Sequence, residues 1–203
     1  MRKFKTMAAA AALVIGLASA AASHATVLFQ QGPVYGPVET DTSAFAFFSG
    51  LAGAADASFS LDGYTSLDGQ NFYEDDFTLS LNGNPVLSGT WSMGGGGSDV
   101  VFFAPGGATF NNISAPGVTF AGGHVLITTP LSLANGANTL TFEYDSLPGP
   151  AHAGFQGLGD EGWGVSNLLV TQGVPEPMTW SLMIMGFGAA GAMLRRARQL
   201  ATA

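Results

Sequence analysis

The run FTLSLNG, residues 77–83, sets Phe77, Leu79 and Leu81 against Thr78, Ser80 and Asn82. A period of two puts alternate side chains on opposite faces of an extended chain, so this run reads as a strand with one face buried and one wet. NTLTFEYD, residues 138–145, repeats the pattern with Leu140, Phe142 and Tyr144 against Thr139, Thr141 and Glu143. Further strand-like runs lie at 45–48, 58–61, 85–91, 100–104, 124–133 and 163–172, separated by Asn-Gly, Asp-Gly, Pro-Gly and Gly-Gly pairs. Asn82-Gly83-Asn84, between two such runs, predicts a hairpin. Between the chain ends no window has helical periodicity. Short strands joined by polar turns specify an all-β fold, an antiparallel sandwich of jelly-roll type.

Charge narrows the partners of that sandwich. The six basic residues are Arg2, Lys3, Lys5, Arg195, Arg196 and Arg198, so residues 26–173 hold no lysine or arginine. Of the fourteen Asp and Glu only Glu176 lies outside that stretch, which therefore carries thirteen carboxylates and a formal charge of −13, against −8 for the whole chain. Nucleic acid is excluded as a partner, because no cation is present to displace counterions from phosphate. Phosphorylated and carboxylated ligands are disfavoured for the same reason, and neutral sugars or a divalent cation with oxygen ligands remain. The chain has no cysteine, so neither disulfides nor thiolate metal sites enter.

The chain opens MRKFKTMAAAAALVIGLASAAASHATVLF: cations, a short apolar stretch, then small residues. This order is that of a secretory signal peptide, residues 1–25, with Ser23 and Ala25 as the small residues that signal peptidase requires and cleavage after Ala25. At the other end, residues 178–194 are seventeen positions without a charge. As a helix they extend about 25 Å, which predicts a minimal transmembrane span. Trp180 falls at its outer edge and Arg195, Arg196 and Arg198 follow it, placing those arginines in the cytoplasm and residues 26–173 outside it.

Pro175-Glu176-Pro177, Trp180, MIMGFGAAG and then RRAR resemble the PEP-CTERM sorting signal in its PEPxxW form, also called the ice-binding protein C-terminal motif. The resemblance covers residues 174–199, with Ser181 where the longer form of the motif has alanine; residues 200–203 form a short tail. It implies a Gram-negative bacterium whose exosortase recognises the Pro-Glu-Pro stretch. It further implies passage through the inner membrane to the cell surface or into an extracellular polysaccharide matrix such as a biofilm. The prolines also disfavour helix before Met178, leaving an extended strip that a processing enzyme can reach. DGYTSLDGQNFYEDDFTLSLNGNPVLSGTW and DEGWGVSNLLV resemble the lectin-like or carbohydrate-binding-like sandwiches attached to such tails. That resemblance implies fold alone.

Within the sandwich, SLDGYTSLDG places Asp62 and Asp68 in consecutive turns with Glu74, Asp75 and Asp76 close behind, and Asp160 and Glu161 precede Trp163. Asp62, Asp68, Asp75, Asp76, Asp160 and Glu161 are candidate calcium ligands; the alternative is that they are solvated turn residues. Tyr64 and Tyr73, in the acidic stretch, are candidates for stacking on sugar rings, whereas Trp163 is expected in the core. His124 and His152 read as turn or surface residues, since nothing in the spacing supplies a third zinc ligand. No Gly-x-Ser-x-Gly elbow occurs. The expectation is a monomeric, non-enzymatic surface or matrix protein with calcium or carbohydrate as candidate ligand. The other reading is a surface hydrolase of neutral polysaccharide.

Overall fold

The computed structural model describes residues 25–31, 35–113, 122–173 and 177–201. The expected signal peptide, apart from Ala25, lies outside the described residues, as do Pro175 and Glu176 of the sorting strip. One compact unit, His24–Val174, holds the strands; the C-terminal helix belongs to another.

The strands are β1 (Thr26–Gln30), β2 (Tyr35–Glu39), β3 (Thr42–Gly50), β4 (Gly53–Thr65), β5 (Asp75–Leu81), β6 (Asn84–Thr90), β7 (Val100–Phe103), β8 (Thr109–Ile113), β9 (His124–Leu133), β10 (Gly136–Ser146), β11 (Pro148–Gly149), β12 (His152–Ala153) and β13 (Glu161–Gln172). A six-stranded sheet runs β1-β13-β4-β9-β8, with β2 also on β13, and a five-stranded sheet runs β3-β10-β5-β6-β7. The short β11 and β12 pair only with each other. The named strands pair antiparallel throughout. The expected antiparallel sandwich is present as two sheets over one core.

The alternation that predicted the strands also builds that core. On β5 and β10 the apolar residues face inward in register, Leu81 opposite Leu140, Leu79 opposite Phe142 and Phe77 opposite Tyr144. From the other sheet Phe59 of β4, paired with Ile127 of β9, sets its ring edge-on to Phe142 at 5.2 Å. Phe77 lies 5.8 Å from Tyr144 and 6.2 Å from Trp91, and Trp91 stacks on Phe110 of β8 at 5.6 Å. These aromatic contacts join both layers, each adding directional preference to the apolar burial.

Asn82 and Gly83 form the expected hairpin turn, with φ of 53° and 77°. Positive φ at both central positions matches the right-handed twist of the flanking strands. The Asn82 side chain does more than turn the chain: Oδ1 accepts from Thr139 N at 2.8 Å and Nδ2 donates to Asn138 Oδ1 at 3.0 Å, fixing the hairpin against β10.

The C-terminal helix α1 runs Pro177–Ala201. No helix among the described residues is long and apolar enough to cross a membrane, which corrects the transmembrane span expected over 178–194. Gly186, Gly188, Gly191 and the alanines among them contribute little apolar surface, and the arginines begin directly after Leu194.

Burial separates the two faces of the five-stranded sheet energetically. Phe142→Ala should destabilise the domain by about 3–5 kcal/mol. Phe45→Ala, on the outward face of β3, should stay within about 0.5 kcal/mol of wild type. Urea unfolding followed by tryptophan fluorescence measures both.

Candidate functional site

The end of the sandwich where β5 and β10 meet β13 concentrates carboxylates. Asp75 opens β5 and is the cross-strand partner of Ser146 at the end of β10; Glu161 opens β13 on the other sheet. Asp75, Glu161, Ser146 and Thr40 are all buried. Ser146 Oγ lies 2.7 Å from Glu161 Oε2, 2.8 Å from Asp75 Oδ1 and 2.8 Å from Thr40 Oγ1. A hydroxyl carries one hydrogen, and Thr40 supplies a second. Thr40 Oγ1 also lies 3.3 Å from Glu161 Oε2, so both hydroxyls are within reach of that carboxylate. Glu161 already accepts from Gln156, at Oε1 from Nε2 at 3.1 Å and at Oε2 from the backbone N at 3.3 Å. Asp75 Oδ2 receives only Asp68 N, at 3.0 Å. The Ser146 hydroxyl is thus within reach of both carboxylates and donates to one of them at a time. Burial, with the nearby Glu161 and Asp68 adding repulsion, pushes the Asp75 carboxyl up to about 7 against the hydrogen bonds from Asp68 and Ser146.

The six candidate calcium ligands do not converge, and no group of three metal-ligating side chains occurs among the described residues. Asp75 and Glu161 both face the Ser146 hydroxyl. Asp62 Oδ1 accepts from Ser60 Oγ at 2.7 Å on the outward face of β4. Asp160 Oδ1 accepts from Ser66 Oγ at 2.9 Å, and its backbone oxygen accepts from Ser66 N and the Thr65 hydroxyl. Asp76, cross-strand from Asp145, is pushed up to about 7 by burial and then by Glu74 and Asp145.

Asp68 is held by a loop whose role the sequence did not disclose. Its Oδ1 accepts from Gly96 N at 2.6 Å and from Asn71 Nδ2 at 2.7 Å. A Cβ on Gly95 would fall 2.6 Å from the Asp68 carboxyl, and Gly94 and Gly97 have φ of 100° and 86°. The four-glycine run 94–97 is thus a cradle for one carboxylate. Thr40, Ser146 and Gln156 were likewise not singled out; Thr40 and Ser146 are 106 residues apart, and only the sheet pairing brings them together.

Of the two tyrosines expected to stack on sugars, Tyr64 is 4% exposed and cannot. Its ring fills the space left by glycines, since a Cβ on Gly36 or Gly164 would meet Tyr64 Cε2 at 3.3 or 3.1 Å. Tyr73 is 48% exposed and sits edge-on to Phe72, 5.1 Å away. Trp163 is buried as expected and donates from Nε1 to Glu39 O at 2.9 Å. His124 is cross-strand from Asp62, and His152 from Gly149. The hydroxyl beside Asp62 belongs to Ser60 and points at the carboxylate rather than at an imidazole.

In the tail, Pro177 opens α1, Trp180 lies in its first turn, and Arg195, Arg196 and Arg198 lie towards its C-terminal end, where cations suit the helix dipole. Residues 173–199 carry the PEP-CTERM protein-sorting motif. The motif indicates an exported, membrane-processed protein and implies processing by an exosortase. No curated protein and no solved structure matches the chain.

The buried acids give stability an unusual pH dependence. Asp75 is raised from the ordinary 3.8 of an aspartate to about 7, so its contribution is full below the unfolded value and is lost as pH rises through about 7. Asp76 and Asp145 shift in the same direction, Asp145 through burial and then Glu143 and Asp41. The melting temperature should therefore fall by roughly 5–15 °C from pH 5 to pH 8. Asp75→Asn, which removes the titrating carboxyl, should flatten that slope and be relatively most stabilising at pH 8. Differential scanning calorimetry across the pH range measures both effects.

Proposed function

We propose that the chain is made with a cleaved signal peptide, residues 1–25, and sorted by an exosortase to the cell surface or extracellular matrix, where its β-sandwich acts by binding or by structure rather than by catalysis. The match over residues 173–199 carries this reading. The order of elements in the chain supports it: cations and an apolar run come first, the cation-free domain follows, and then come Pro-Glu-Pro, whose Pro177 opens α1, and the arginines. The described side chains from Met183 to Arg196 are exposed around the helix, which suits contact with the membrane while processing proceeds.

A non-catalytic role accords with the fate of the acids. Asp75 and Glu161 are buried around the Ser146 hydroxyl, out of reach of a substrate, and Asp62, Asp68 and Asp160 hold turns and strand ends together. A charge of −13 over residues 26–173 keeps such a domain soluble and directs it away from anionic surfaces.

Replacing Pro175, Glu176 and Pro177 together by alanine should leave the precursor in the membrane fraction and remove it from the extracellular fraction, with the sandwich still folded. Immunoblots of cell fractions against the domain provide the readout. Normal release of the triple variant would reject sorting through this motif.

A further inference from the structure

The outward face of the five-stranded sheet carries side chains that the core does not use. On the edge strand β3, Phe45 and Phe47 are 56% and 69% exposed. Their rings lie 6.2 Å apart and within 14° of parallel, following the two-residue repeat of the strand. Beside them on β10 stand Thr141, opposite Phe45, and Thr139, opposite Phe47. Across the face Thr78 of β5 donates to Ser88 of β6 at 3.2 Å, and Ser88 is the cross-strand partner of Phe103 on the far edge, which is 45% exposed. An aromatic at each rim thus encloses a floor of small hydroxyls.

Charge decides what such a face can hold. Three carboxylates share this face: Glu143, cross-strand from Thr78, whose Oε1 accepts from Ser43 Oγ at 3.1 Å, and beyond it Asp145 and Asp76, cross-strand from each other. The domain around it carries −13 and no cation. Anionic lipid, nucleic acid and acidic polymers are repelled, and a second copy of the same domain would bring an equal charge against it. A neutral polymer escapes that repulsion. Parallel phenyl rings take up apolar C–H faces, whereas threonine and serine hydroxyls both donate and accept, as sugar hydroxyls require.

We propose that this face binds a chain of neutral polysaccharide, with Phe45 and Phe47 as the stacking platform and Thr139 and Thr141 as hydrogen-bonding partners. The proposal rests on the export reading only in placing the domain where such a polymer is met.

The test is retention of the purified full chain, in detergent and high salt, on microcrystalline cellulose, amylose and cross-linked dextran, with immobilised polylysine in parallel. Wild type should be retained on at least one neutral polymer. Phe45→Ser with Phe47→Ser should lower that retention about ten-fold or more without changing the melting temperature. Phe72→Ser with Tyr73→Ser, at the other exposed aromatic pair, should leave it unchanged. Retention on none of the neutral polymers, retention on polylysine alone, equal retention of the Phe45/Phe47 variant, or loss only in the Phe72/Tyr73 variant would each overturn the proposal. The assay uses purified protein, so failure of binding leaves sorting untouched, and failure of sorting leaves binding measurable.

Discussion

A domain with thirteen carboxylates and no lysine or arginine has to settle every buried negative charge with neutral donors or with protons. Ion pairing within it is unavailable, and an isolated buried carboxylate is too costly to keep. The acid end of the sandwich shows both solutions together. Glu161 takes two N–H groups from Gln156 and lies within reach of the Ser146 and Thr40 hydroxyls, while burial pushes the Asp75 carboxyl up to about 7. Because Asp75 belongs to the five-stranded sheet and Glu161 to the six-stranded one, this hydrogen-bonded group ties the layers at the end where the aromatic core stops.

The same constraint shapes the acids that look like ligands in sequence. With no lysine or arginine in the domain, three of them recruit nearby neutral donors: Asp68 takes Gly96 and Asn71, Asp160 takes Ser66, and Asp62 takes Ser60. These bonds orient oxygens towards the chain's own turns, separating groups that a divalent ion would need to gather. Sequence proximity of Asp62, Asp68, Asp75 and Asp76 was therefore misleading. Asp75 and Asp76 are neighbours on a strand, and the period of two sends one inward to Ser146 and the other to the face shared with Asp145.

Legibility followed the range of the interaction. Alternation over 77–83 and 138–145 located β5 and β10 and named their inward residues, because strand periodicity is local. The Asn82-Gly83 turn was legible for the same reason. β1, β2 and β8 were not, being short strands whose definition comes from pairing with β13 and β9. The burial of Tyr64 could not be read either, since it depends on Gly36 and Gly164 approaching from other strands. The sorting motif was the clearest functional signal, because an enzyme reads it as a linear stretch. The cluster of Asp75, Glu161, Ser146 and Thr40 was invisible, its members being joined only by register and by the meeting of two sheets.

Processing sharpens the electrostatic problem. Every cation of the chain lies in residues 1–25 or 174–203, so removal of both ends would change a precursor of formal charge −8 into a domain of −13. A fold that relied on those arginines and lysines for neutralisation would lose its balance at maturation. Here Asp75 and Glu161 find their donors in Gln156, Ser146, Thr40 and backbone N–H groups that all lie within the sandwich. Donors internal to the sandwich thus make this end of the core independent of the terminal cations.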